Sequence, residues 1–159
     1  MAFPDFKLAV RLSALACLVL SAHAAGAVEG GVFCRGAGIF VERPEPNGAL
    51  TFDIMDANAQ GNVIEITGVA APHNGGWRYQ SNGSAAEARC TLDITPVAGG
   101  FKMDTVKGAT CAGMGGHNAE IALIGASFPA SSRVKGVAPV VDSAGRIPQF
   151  DCHRKKFDR

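Results

Sequence analysis

The sequence predicts an all-β domain, an antiparallel meander that forms a small barrel or β-sandwich and is stapled by two disulfides after a cleaved signal peptide. Three observations predict it. An apolar run near the start is followed by small residues, and four further cysteines come after it. Short segments with a two-residue hydrophobic period then alternate with turn residues along much of the chain.

The first 24 residues have the features of a secretory signal peptide. Cationic residues precede an uncharged run at 12–22, and Ala22 and Ala24 supply the small side chains that signal peptidase requires. The run is about half of the roughly 20 apolar residues that span a bilayer, which disfavours a transmembrane anchor. We therefore expect a periplasmic or secreted protein with no integral membrane anchor, cleaved after Ala24 or, as the alternative, after Ala27.

Removal of this leader leaves an even number of cysteines in a chain bound for an oxidising compartment. Two disulfides follow, and three pairings are possible. We favour Cys90 with Cys111, which flank a predicted hairpin, and Cys34 with Cys152, which ties the two ends of the domain together. Zinc ligation is disfavoured because the chain contains no C-x-x-C pair. We expect no metal and no cofactor.

The charge balance argues against nucleic acid as a partner. Without Asp5, Lys7 and Arg11 of the leader, the 15 cationic and 14 anionic side chains become 13 of each. No long-range field then attracts the domain to nucleic acid or to an anionic membrane. The one local excess of positive charge, at 154–159, is typical of a solvated tail.

Period-two patterning begins at Leu50, where Leu50, Phe52 and Ile54 alternate with mostly polar residues and so share one face of a strand. A parallel sheet is disfavoured, because it needs crossover helices and no 3.6-residue period follows the leader. We assign 1–24 to the signal peptide, 25–128 to the β domain and 129–159 to an extended C-terminal segment tethered through Cys152. Further strands are predicted at 64–67, 77–79, 90–95, 101–104 and 119–123, the last with Ala119, Ile121 and Leu123 facing inward.

A glycine-rich segment after Cys111 contains the main candidate site. Three glycines within four residues free the backbone, a disulfide at Cys111 would fix one end, and the loop then presents Met114, His117 and Asn118. A rigid loop with a histidine near its tip suits binding in a partner's cleft, and we add Arg78 to the candidate binding residues. The alternatives are a plain corner between strands and a copper site, which oxidation of Cys111 would exclude.

Catalytic patterns are sparse. The chain has no Walker loop and no dinucleotide fingerprint, and Ser127 lacks the second glycine of a nucleophile elbow. Asp53, Asp56 and Glu65 could supply paired carboxylates, although charged residues are also expected on outward faces of strands. An enzymatic role is therefore kept as an alternative and not as the main expectation.

The plan resembles that of periplasmic lysozyme inhibitors, which are small exported β domains with disulfides, some presenting a histidine from a disulfide-bounded loop to a lysozyme's acidic cleft. No motif of that family aligns residue by residue, so no site residue is carried over. We expect an exported, non-catalytic binding protein of the periplasm whose partner is another protein. An inhibitor of a cell-wall hydrolase such as lysozyme is its most concrete version. The alternatives are a small secreted hydrolase that uses rim carboxylates and an envelope structural module that makes contact through 129–159.

Overall fold

Eight strands, each hydrogen-bonded to the next one along the chain, form one antiparallel sheet. The computed structural model describes residues 30–81, 89–106, 111, 114–115, 118 and 122–158. The predicted antiparallel meander is confirmed. The strands are β1 (Gly31–Arg35), β2 (Gly38–Pro44), β3 (Leu50–Ala57), β4 (Val63–His73), β5 (Gly76–Gln80), β6 (Thr91–Val97), β7 (Gly100–Thr105) and β8 (Ser127–Phe128).

The sheet is nearly closed into a barrel by the segment that follows β8. A short 3-10 helix, Ala130–Ser132, turns the chain back toward β1. Arg133 then forms an antiparallel bridge with Phe33, and the Val134 N–H donates a 2.8 Å hydrogen bond to the Val32 carbonyl. These contacts cover the free edge of β1, so the barrel is the correct one of the two predicted architectures.

The barrel interior is filled by side chains, as is usual for small barrels. Leu50, Phe52 and Ile54 are fully buried, as their alternation predicts. Phe40 lies among other rings, with centroids 5.2 Å from Phe101 and 5.5 Å from Phe128. The remaining large interior side chains come from most of the other strands and are Phe33, Ile64, Ile66, Leu92, Ile94 and Met103.

A second apolar cluster lies on the outer face of β1 and β2, beneath the C-terminal segment. Val32 and Val41 are buried there against Ile147 and Phe150. The segment ends in a two-stranded hairpin of β9 (Phe150–Asp151) and β10 (Lys156–Phe157). The sequence suggests little to bury after residue 129, whereas the structure buries two large side chains of the segment. The cause is that β1 and β2 are apolar on both faces, so that their outer face also needs cover.

Both favoured disulfides are present, Cys34 with Cys152 and Cys90 with Cys111. Structural disulfides are compatible with a protein that acts outside the cytoplasm. In the described part of the chain no helix is long or apolar enough to cross a membrane. The predicted signal peptide, 1–24, lies outside the described residues and stays a prediction.

The predicted last strand at 119–123 needs a correction. Residues 119–121 lie outside the described part, and Leu123 is buried as predicted but belongs to a 3-10 turn. The Ala126 N–H donates to the Leu123 carbonyl at 3.3 Å, and Gly125 adopts a φ of 68°. The chain therefore turns before it pairs, and the eighth strand begins only at Ser127.

Candidate functional site

The meander places alternate turns at opposite ends of the barrel, since each strand runs back along its neighbour. We call one end the loop end and the other the opposite end. The strands β1, β3, β5 and β7 finish at the loop end, and the connections that follow them in sequence are 36–37, 58–62, 81–90 and 106–126. The opposite end carries 45–49, 74–75, 98–99 and the turn after β8.

The predicted binding loop belongs to the loop end. Cys111 is fully buried and bonded to Cys90, just before β6. Met114 is half-buried and packs against the barrel core, so part of its surface serves packing. Gly115 forms an antiparallel bridge with Ile64 at the start of β4. The structure thus attaches this loop to the barrel at several points.

Asn118 is exposed and has a φ of 53°, a left-handed conformation that asparagine tolerates better than most residues. Its carbonyl accepts a 3.0 Å hydrogen bond from the Asn58 side-chain amide. The other side-chain atom of Asn58, Oδ1, accepts bonds from the backbone N–H groups of Gln60 and Asn62. Asn58 therefore links the β3–β4 turn to the loop. The remaining predicted residue, His117, lies outside the described residues.

Arg78 lies on the outer face of β5, where it forms a two-pronged ion pair with Asp93 of β6. Arg78 Nε and Nη2 donate to the two carboxylate oxygens at 2.6 and 2.7 Å. The hydrogen bonds from Arg78 lower the pKa of Asp93, against a smaller effect of burial. Arg78 is two residues from Gln80, which pairs with Thr91 next to Cys90, so about 7 Å of strand separates it from the loop end.

Sequence reasoning misses a second charged pair at the loop end, Arg35 with Asp56. Arg35 Nη2 lies 2.7 Å from Asp56 Oδ2, and the guanidinium also lies 5.3 Å from the centroid of the Phe128 ring. The Asp56 side chain is only 7% exposed, whereas that of Arg35 is 41% exposed. The strand pattern contains a signal for this pair, because Asp56 shares the inner face of β3 with Phe52 and Ile54.

An open cleft lies beside this ion pair. It has a volume of about 590 Å³ and passes between the β1–β2 and β3–β4 turns. Arg35 and Asp56 line one part of it, and Asn58 and Gln60 line another. Ala122, which follows the predicted loop, completes the wall. The cleft, the ion pair and the described parts of the loop therefore form one continuous surface.

The opposite end contains a buried carboxyl group that the sequence analysis does not identify. Glu42 is 1% exposed, and among the described residues its Oε2 has no hydrogen-bond partner. Burial raises the pKa of Glu42 to about 8, although the charge of Arg133 and a hydrogen bond from the Gly31 backbone oppose the rise. The sequence does contain a signal for this burial. Glu42 is two residues from Phe40 and so lies on the same inner face of β2.

The three carboxylates considered for catalysis do not all lie on one face of the sheet, although Asp53 and Glu65 share its outer face. Asp53 and Asp56 are three residues apart in β3 and so point to opposite faces of the sheet. Asp53 is on the outer face as predicted, but it is 6% exposed because neighbouring residues there are covered by the C-terminal segment. Burial, and secondly the charge of Glu65, raise the pKa of Asp53 to about 7.

The residues that the structure describes contain no group of three or more His, Cys, Asp or Glu side chains that could hold a metal ion. Cys111 is oxidised and offers no thiolate, which removes one ligand from the copper site considered above. The chain matches no known protein family, and comparisons with curated proteins and with solved structures found no significant similarity.

Proposed function

We propose that the protein is an exported, non-catalytic binding protein of the periplasm that holds another protein against its loop end. Its most concrete version is an inhibitor of a cell-wall hydrolase such as lysozyme. The observation that supports this proposal is the way in which the loop end is fixed. The Cys90–Cys111 disulfide, the Gly115–Ile64 bridge and the Asn58–Asn118 hydrogen bond tie separate segments into one surface.

Such a surface is suited to binding because its described segments are already joined to one another before the partner arrives. A binding protein with a preformed surface loses less conformational freedom on association, and more of the contact energy remains as affinity. The disulfide contributes most, since it is covalent and anchors a buried residue, Cys111, to the start of β6. This arrangement supports a binding role for the Gly-rich loop over a plain corner between strands.

One exposed cationic side chain at the loop end supports a partner with an acidic cleft. The Arg35 side chain remains 41% exposed beside the open cleft although its guanidinium is paired with Asp56. His117 lies in sequence between Gly115 and Asn118, both of which are attached to this end. Lysozymes cut glycosidic bonds with a pair of carboxyl groups, and cationic side chains complement such a site. Arg78 stays a candidate at the margin of this surface.

Inhibition of lysozyme activity tests the proposal directly. The disulfide-bonded protein is titrated into cell-wall lysis assays with lysozymes of several classes, and binding is measured in parallel by calorimetry. We expect saturable, near-stoichiometric inhibition of at least one class. His117→Ala should weaken inhibition by about tenfold or more, because the proposal places this side chain at the centre of the interface.

A matched control uses the other end of the barrel. His73 is in the β4–β5 region of the opposite end, where its ring lies 3.1 Å from the Asn74 amide nitrogen, so His73→Ala should leave inhibition unchanged. Equal losses in the two variants would contradict a loop-end site. Absence of both inhibition and binding for every lysozyme would reject the lysozyme version. A pull-down of exported proteins, compared between the parent and His117→Ala, then tests the broader binding role.

A further inference from the structure

The opposite end of the barrel contains a small apolar cavity that the proposed function does not use. Its volume is about 220 Å³. Its lining includes Phe33 and Phe101 of the barrel core and Pro96 and Val97 at the end of β6. Apolar cavities of about 150 Å³ are large enough to bind benzene, so this volume is sufficient for a small organic molecule.

Two charged side chains, those of Glu42 and Arg133, line this cavity. Glu42 lines it with a side chain that is 1% exposed and that accepts a hydrogen bond from the Gly31 backbone. Glu42 Oε2 has no partner among the described residues, which is unusual for a buried polar atom. An unpaired buried polar group is costly, so Glu42 is the group on this cavity whose hydrogen bonding a ligand would complete.

Arg133 supplies a positive charge on the same cavity. Its Nη2 donates a 3.0 Å hydrogen bond to the Gly30 carbonyl, and its guanidinium lies 6.0 Å from the centroid of the Phe33 ring. A Cβ atom built on Gly31 would lie 3.2 Å from Arg133 Nε and 3.3 Å from Glu42 Oε1, so the two polar groups approach the same glycine. The guanidinium has five N–H donors, which allows it to serve several acceptors.

We propose that this cavity binds a small carboxylate with an apolar body, whose carboxylate lies between Arg133 and Glu42 and whose body lies against Phe33 and Phe101. The ligand's charge is complementary to the guanidinium. Glu42 in its protonated form donates its O–H to the ligand carboxylate, and such charge-assisted hydrogen bonds are short and strong. The raised pKa of Glu42 supports this arrangement, since the protonated form then predominates at neutral pH.

A cationic ligand fits the cavity less well. Its charge would lie near the Arg133 guanidinium, and the neutral Glu42 carboxyl would offer it no full negative charge. An apolar ligand without a carboxylate would leave Glu42 Oε2 unsatisfied. Among ligands with the same apolar body, the cavity should therefore prefer a carboxylate head group to a cationic or an apolar one.

The single tryptophan of the chain reports on this cavity. Trp77 lies with its ring centroid 6.4 Å from that of Phe101, and its Nε1–H donates a 2.9 Å hydrogen bond to the Gly48 carbonyl. A ligand that packs against Phe101 changes the surroundings of Trp77. Its fluorescence can therefore follow binding without a label.

The experiment titrates the disulfide-bonded protein with hexanoate, with hexylamine and with acetate. Hexylamine has the same chain and the opposite charge, whereas acetate has the same head group and almost no chain. We expect a saturable change in Trp77 fluorescence with hexanoate and roughly tenfold weaker binding of the other two. Amide resonances in two-dimensional NMR spectra should shift at Phe33 and Phe101 and stay unchanged at Asp56 of the loop end.

Matched arginine variants complete the test. Arg133→Gln should weaken hexanoate binding by about tenfold. Arg146→Gln, which removes an exposed arginine paired with Asp142 on the C-terminal segment, should leave it unchanged. The proposal is overturned if hexanoate gives no saturable response or if hexylamine binds equally well. It is also overturned if the shifted resonances map to the loop end, a result that needs no variant.

Discussion

Each end of the barrel closes off an apolar interior. The two ends do so with different polar groups. At the loop end a buried carboxylate, Asp56, is neutralised by Arg35, and both disulfides lie near this end. Within the described part of the chain, the opposite end has Glu42 buried beside a cavity with one oxygen unpaired, and it has no disulfide. The contrast is between a surface whose described segments are linked covalently at one end and an incompletely satisfied buried group at the other.

The largest effect is expected from loss of the Cys34–Cys152 disulfide, which spans 118 residues. The Cys34→Ala/Cys152→Ala protein should lose about 4 to 5 kcal/mol of unfolding free energy, because an uncross-linked unfolded chain gains more entropy when the loop is long. The Cys90→Ala/Cys111→Ala protein, with a separation of 21, should lose about 3 kcal/mol. Urea unfolding under non-reducing conditions measures both values.

The same variants distinguish the two ends functionally. The Cys90→Ala/Cys111→Ala protein, measured where it is still folded, should lose binding at the loop end and keep the hexanoate response of Trp77. Loss of both activities in a folded variant would show that the ends are coupled. The two ends would then not act independently.

The next largest effect concerns pH and the opposite end. The folded-state pKa of Glu42, about 8, lies above its ordinary value of 4.5, so between these values the folded protein keeps a proton that the unfolded chain has lost. The contribution of Glu42 to stability is therefore present at low pH and is lost as pH rises, by roughly 3 kcal/mol between pH 5 and pH 7. Asp53 contributes with the same sign up to about pH 7.

Glu42→Gln should reduce this pH dependence in urea unfolding experiments and leave the part that Asp53 contributes. Glu45→Gln is the control, because hydrogen bonds from Thr51 and Arg43 lower the pKa of Glu45 and move its transition below that window. A slope for Glu42→Gln equal to that of the parent would show that Glu42 is ionised in the folded protein. The contrast between the two ends would then be lost.

The smallest effect on stability is expected at the Arg35–Asp56 pair. The informative result is the difference between the losses caused by replacing each partner. Arg35→Met leaves the buried Asp56 carboxylate without its guanidinium and should cost about 1 to 3 kcal/mol. Asp56→Asn leaves an arginine that can reach water and should cost less than about 1 kcal/mol. Chemical denaturation of the two variants at neutral pH decides the order. The reverse order would mean that Arg35 is the more buried partner.

Much of the fold could be predicted because its signals are local. The period-two pattern from Leu50 onward reports one buried face per strand, and an even cysteine count with suitable spacing gives both disulfides. The first two strands have no such signal. Val32 and Phe33 in β1 are both buried, one under the C-terminal segment and one in the barrel, so the alternation disappears.

The candidate sites were harder to predict, because they depend on which strand ends meet. Met114 and Asn118 are at the loop end, and the loop is anchored by Cys111 as the sequence predicts. Arg35 and Glu42 have no motif around them. Their importance follows from strand register, which brings Arg35 to Asp56 across 21 residues, and from the long-range closure that brings Arg133 to Glu42.

The bridge between Phe33 and Arg133 has a consequence for biosynthesis. The first strand of the sheet keeps one exposed edge until a segment about 100 residues later reaches it, so the barrel cannot close on a partly synthesised chain. An unpaired strand edge invites association between chains. A nascent protein of this design gains from a holding chaperone until translation has delivered its C-terminal quarter.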